Sequence, residues 1–208
     1  MRILFASHGC DCSKKAFDII KSCSSSSDFV LINHSLKQRI SEFPEYDLGI
    51  GFLYTYKIPT EELSKTWINF HPAPLPEYGG RNVAHHAIIN NSKHFGATMH
   101  YMNEEFDRGD IINCQKFSIK NTDTAGDLVD KSYETLLTIL KKYVVSICSG
   151  ELPDSSPQDK TTYYQKENID DFIDLDDNVK RRIRSLTVSP KHYAKIDING
   201  KIYRIVPE

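Results

Sequence analysis

The sequence predicts an α/β fold with a mostly parallel sheet, and three observations carry that reading. Apolar strand-like stretches alternate with helical ones, the pattern of parallel βαβ units around a Rossmann-like core. Trp67 to Pro76 (WINFHPAPLP) alternates like a strand and then stops at a run of prolines. Thr124 to Ser149 carries Leu128, Val129, Leu136, Leu137, Leu140, Val144 and Ile147 at gaps of three and four, a helix whose stripe is packing.

Taken in order, Arg2 to Ser7 is an apolar first strand and Lys14 to Lys21 a helix with Ser13 as its expected cap. Ser24 to Ser27 reads as a polar turn, Phe29 to Asn33 as a second strand and Asp47 to Leu53 as a third. No GxGxxG follows the first strand, so a dinucleotide fingerprint is absent. In the fourth strand Trp67, Asn69 and His71 share one face and Ile68 and Phe70 the other. Proline cannot donate to a ladder, so pairing ends by Pro72. An amide and an imidazole therefore stand at the carboxyl end of a strand, where open α/β sheets bind ligands. Asn82 to Asn91 is a short helix, Phe95 to Met102 and Ile111 to Ile119 are strands, and Gly150 ends the long helix. A linker containing Pro153 and Pro157 leads to a helix around Val179 to Leu186. A hairpin then joins its arms through Asn199-Gly200, a strong turn signal. The expected division is a core over residues 1–150 and a C-terminal extension over 151–208.

Composition narrows the function classes. With 208 residues, 39% hydrophobic and 26% charged, the chain has room for a sizeable core. A formal charge of −2 argues against a nucleic-acid footprint. Neither a membrane span nor a signal peptide is expected, since no run of about 18 apolar residues occurs. Five cysteines, an odd number, fit a reducing compartment and a cytoplasmic location. Cys10 and Cys12 lie near His8 and Asp11, but no second Cys/His pair completes a zinc set, so no metal is expected.

Three motifs in order, NFHPAPLPEYGG (69–80), GATMHYM (96–102) and FDRGDII (106–112), resemble the folate-dependent formyltransferases. That family includes glycinamide ribonucleotide, methionyl-tRNA and nucleotide-linked amino-sugar N-formyltransferases. The resemblance is close over residues 47–119 and looser elsewhere. It implies a formyltransferase core that uses 10-formyltetrahydrofolate as co-substrate, with Asn69, His71 and Asp107 as catalytic triad. Asp110 is the rival carboxylate. Phe52, Leu53, Tyr54, Thr55 and Tyr56 match the family's pterin-side segment, and His100 matches a histidine near the folate. Departures are Arg108 after the aspartate, where Thr or Gly is frequent, Gly79 after the tyrosine, and SHGCDCSKK where purine-pathway members carry a phosphate loop.

The tail (TYYQKENID to IDINGKIYRI) is similar to the extension of amino-sugar formyltransferases, whose hairpin often lies at a subunit interface. A homodimer through the hairpin is therefore expected. Nucleotide-linked amino sugars, especially dTDP-linked 4-amino- or 3-amino-dideoxyhexoses, are the leading acceptors. Arg81, Asn82, Tyr163 and Tyr164 are the candidates for holding them, Arg81 alternatively pairing with Glu77 at the surface. Glycinamide ribonucleotide formyl transfer, or a non-catalytic folate- or nucleotide-binding role, remains the alternative. Of His85 and His86, adjacent on a helix, one is expected to face solvent.

Overall fold

The computed structural model describes residues 1–23, 30–34, 39–159, 162–165, 178–188, 191–198 and 201–206. Strands β1 (Arg2–Ser7), β2 (Val30–His34), β3 (Leu48–Phe52) and β4 (Thr66–His71) are joined by β6 (His94–Tyr101) and β7 (Ile111–Ser118) in a six-stranded sheet. Its order is β2-β1-β3-β4-β6-β7. The first four strands run parallel; β6 and β7 are antiparallel to their neighbours. The expected α/β class with a mainly parallel sheet therefore holds. Helices α1 (Asp11–Ser22), α2 (Val83–Ile89), α3 (Ala125–Ser149) and α4 (Val179–Leu186) complete the layers. The last pair of strands, β9 (Lys195–Ile198) and β10 (Lys201–Arg204), forms the expected hairpin. Its Asn199-Gly200 turn and the Ser24 to Ser27 turn lie outside the described residues, as does Phe29.

One face of the sheet (Ile3, Phe5, Ile50, Phe52, Ile68, Phe70) packs beneath Ala16 and Ile20 of α1 and Leu136, Ile139 and Leu140 of α3. The alternation expected in β4 explains the opposite face, where Trp67 joins Leu4, Ala6, Ile40, Tyr46 and Ile58. Among the described residues, no helix is long and apolar enough to cross a membrane.

Helix α3 begins with a capping box: Thr124 accepts from the Asp127 amide, and Asp127 accepts from that of Thr124. It ends at Gly150, with φ 83°. The Ser13 cap is corrected. Helix α1 starts a turn earlier, with Cys10 as N-cap in extended backbone and the Lys14 amide already on the Cys10 carbonyl. Ser13 is thus inside the first turn, fully buried, its hydroxyl 3.2 Å from Cys10 Sγ.

Candidate active site

Strand β4 ends in the middle of the sheet, so its last side chains are fixed by neighbours on both edges. Asn69 lies opposite His100 in the antiparallel register, and partners on such strands share a face. Their side chains meet, Asn69 Nδ2 to His100 Nε2 at 3.0 Å. His100 Nδ1 lies 2.7 Å from the Tyr101 carbonyl, which can only accept. The proton therefore sits on Nδ1, Nε2 accepts from the Asn69 amide, and the other amide hydrogen is left to address a ligand oxygen. Burial pushes the His100 imidazole down to about 4, so it stays neutral and keeps this role.

The same logic fixes His71. Its Nε2 donates to the Tyr78 carbonyl at 2.8 Å, which leaves Nδ1 as the nitrogen that faces Asp107. Nδ1 lies 3.4 Å from Asp107 Oδ1, and both side chains are about nine-tenths buried. Asp107 sits on the β6–β7 loop in left-handed backbone, φ 57°. Its other carboxylate oxygen accepts from the Gly80 amide at 2.9 Å. The structure thus brings Asn69, His71 and Asp107 to one point. Asp110 instead gives its carbonyl to the Tyr101 amide.

The turn between His71 and Gly80 is held by Thr98, a residue sequence reasoning passed over. Its buried hydroxyl accepts from the Leu75 amide and donates to the Ala73 carbonyl. Gly79–Gly80 forms a two-residue strand, β5, which pairs in parallel with β8 (Tyr163–Tyr164) of the tail. Gly80 has φ 98°, and a Cβ there would stand 2.0 Å from the Tyr164 carbonyl oxygen. Only glycine fits.

The triad opens into a cavity of about 890 Å³. Its lining includes Leu53, Tyr54, Thr55, Tyr56, Ile58, Leu63 and Met102, and also His8, Arg81, Asn82, His85, Tyr133, Tyr163 and Tyr164. Phe52 is not among the lining side chains. It is fully buried between Phe5 and Phe70, because its register puts it on the α1/α3 face. Tyr54 is half-buried, with its hydroxyl accepting from the Ile40 amide. Asn82 is the N-cap of α2 but makes no side-chain cap bond there, so its exposed amide is open to the cavity. Arg81, also lining the cavity, donates to the Thr55 carbonyl at 3.4 Å; Glu77 pairs with Lys116 instead. Tyr164 stacks on Tyr78 and on His86, and its hydroxyl accepts from Asn90, so much of its surface serves packing. Of the two adjacent histidines neither is fully exposed: His85 faces the cavity, and His86 covers Tyr164. Burial lowers His85 to about 4 as well.

Residues 57–142 match the formyl transferase family. They contain β4, the Asp107 loop and the triad. The chain carries a formyl transferase domain. Outside that domain likeness continues: GDP-perosamine N-formyltransferase of Brucella melitensis is 29% identical over 166 residues, 76% of this chain. The chain spans 64% of that relative's length. Among solved structures, a 4-N formyltransferase from Francisella tularensis superposes with a TM-score of 0.84 at 20% identity, over 100% of this chain and 97% of that one. An N-formyltransferase from Helicobacter canadensis in complex with folinic acid and dTDP-3-aminofucose gives 0.75 at 17% identity, over 95% and 84%. At these identities the likeness establishes the fold around the formyl transferase domain. Among the described residues no group of three or more His, Cys, Asp or Glu side chains is placed to hold a metal ion.

Proposed function

We propose that this chain is a sugar N-formyltransferase that moves a formyl group from 10-formyltetrahydrofolate to the amine of a nucleotide-linked amino sugar. The observation that carries the reading is the convergence of Asn69, His71 and Asp107 in one cavity lined both by an apolar and aromatic segment and by polar and phenolic side chains. The wall from Leu53 to Ile58 suits a flat pterin, with backbone groups for its edge and Ile58, Leu63 and Met102 for its face. Arg81, Asn82, Tyr163 and Tyr164 add to the lining a guanidinium, an amide and phenols, the donors that a diphosphate and sugar hydroxyls require.

Folate supplies an already activated formyl group, so no protein nucleophile is needed. In this reading the Asn69 N–H not bound to His100 stabilises the formyl oxygen as it gains negative charge. His71 Nδ1 takes the proton of the attacking amine and returns it to the leaving nitrogen. Asp107 holds the ring and meets its charge while the proton is aboard. Tyr78 keeps Nε2 occupied, so only one nitrogen cycles.

The acceptor is assigned to the dTDP-linked 4-amino- or 3-amino-dideoxyhexoses, and the enzyme to the cytoplasm. Residues 1–150 act as catalytic core, with 151–208 as an extension whose hairpin pairs in a homodimer. Ile202 and Tyr203, 57% and 42% exposed, give that dimer an apolar surface. The relatives named above, one acting on GDP-perosamine by name and one solved with folinic acid and dTDP-3-aminofucose, support this class of substrate. The deciding experiment is a panel of nucleotide amino sugars with 10-formyltetrahydrofolate, glycinamide ribonucleotide included. Formylation of a sugar is expected; turnover of glycinamide ribonucleotide alone overturns the reading. Sedimentation as a monomer at all concentrations would remove the dimer.

A further inference from the structure

Gln158 lies between exposed Pro157 and Asp159, yet its own side chain is turned inward and half-buried. Its Nε2 donates to two backbone carbonyls of one loop, those of Asp107 (3.1 Å) and Gly109 (2.5 Å). The segment that carries it is anchored just upstream, where Ser156 and Ile111 exchange both backbone hydrogen bonds (2.8 and 2.9 Å). Further upstream, the Pro153 carbonyl accepts from the Tyr101 hydroxyl at 2.7 Å. A planar amide aimed from a docked strand at two carbonyls two residues apart is a geometric clamp.

The loop has reason to need one. Asp107 adopts a left-handed backbone that costs a non-glycine residue energy and persists where its surroundings over-determine it. Gly109 permits the loop's close approach to Tyr101, whose carbonyl oxygen would lie 1.8 Å from a Cβ. Between these two points Gln158 fixes both carbonyls, and the Gly80 amide fixes the carboxylate. Without the clamp, Asp107 keeps its carboxylate but loses the restraint on its backbone.

We propose that Gln158 is a positioning residue that sets Asp107 against His71, so that the site's third member is completed by the tail. The kinetic part of this claim rests on the formyl-transfer reading; the structural part does not.

The test uses the full chain with Gln158→Ala and Gln158→Glu, the latter keeping length while replacing the donor with an acceptor that faces two carbonyls. Ser156→Ala is the control, since its bridge is made by backbone atoms alone. Hydrogen–deuterium exchange is expected to quicken in peptides covering residues 79–81 and 103–110 in both Gln158 variants and not in the control. Turnover is expected to fall about 10- to 100-fold, the cost of a misplaced catalytic group, with both KM values kept within about threefold. On an Asp107→Asn background the further loss from Gln158→Ala should be small, because both changes act through one group. Unchanged exchange at both peptides overturns the clamp, as does a Gln158 loss of full size in the Asp107→Asn background. If exchange quickens while the wild-type chain formylates no acceptor, the functional reading falls and the clamp stands. Should Gln158→Ala melt early, Gln158→Glu carries the same comparison.

Discussion

Asn69 and His71 stand on a strand in the middle of the sheet, whereas Asp107 stands on a loop. The difference decides what each needs. The strand side chains inherit their positions from ladders on both edges and from the pleat, so β4 carries its chemistry with little help. The loop carboxylate depends on a left-handed backbone, an amide of Gly80 and a side chain fifty-one residues further along. A rigid scaffold can thus hold the proposed catalytic constellation although only part of it is rigid by its own local structure.

The sharpest way to break the comparison is to remove one member from each side. His71→Asn should lower turnover by about a thousandfold or more, with melting little changed, since the proton carrier is gone and the strand remains. Asp107→Asn should lower it by orders of magnitude too, and should also quicken exchange at Gly80. Equal exchange in the two variants would contradict a loop held through its carboxylate. Asn69→Ala follows, at about a hundred- to a thousandfold, the usual cost of one oxyanion donor. Steady-state rates with the acceptor that the wild-type chain formylates check all three.

Smaller effects sharpen the same contrast. His100 takes its proton near pH 4 when folded and near its ordinary 6.5 when unfolded. The unfolded chain therefore binds more protons between those values, and stability is full above about pH 6.5 and lost as pH falls toward 4. The loss approaches about 3 kcal/mol for this one group. His85, lowered by burial in the same way, adds to it with the same sign. Urea unfolding at pH 7, 5.5 and 4.5 should show the fall, shallower in His100→Gln, whose amide cannot be charged. Least of all, Arg81→Ala should raise the sugar's KM about tenfold, as the loss of one charge-assisted contact, and leave that for folate unchanged. An unchanged sugar constant would return Arg81 to a rim role.

Much of this was legible in the sequence, for physical reasons that also mark the limits. The end of β4 was readable because proline stops a ladder and period two fixes which side chains share a face. The extent of α3 followed from its apolar stripe and a glycine stop, while its capping box emerged only in the structure. By contrast, the resemblance named Phe52 only as part of a segment and did not show that its side chain turns into the core, since neighbours on a strand face opposite ways. Ser13 was taken for a cap because the residue that fills that place, Cys10, is not of the usual cap type. Thr98 and Gln158 were not singled out because what they do is bond backbone carbonyls far away in the chain, and no local period signals that. The adjacent histidines misled for a related reason: cover for His86 comes from Tyr164, across the fold.

The pairing of Gly80 with Tyr164 also has a consequence in time. Eighty-four residues separate the two, the difference of their numbers. A ribosome adding about 5 to 20 residues per second needs roughly 4 to 17 s to cover that gap. Asp107 is added part-way through that interval, and from then until Tyr164 emerges Asn69, His71 and Asp107 have all been made, yet the strand that steadies the Gly80 amide against Asp107 has not. The nascent chain therefore passes through a stage in which it owns all three side chains of the proposed site and lacks the strand that completes it.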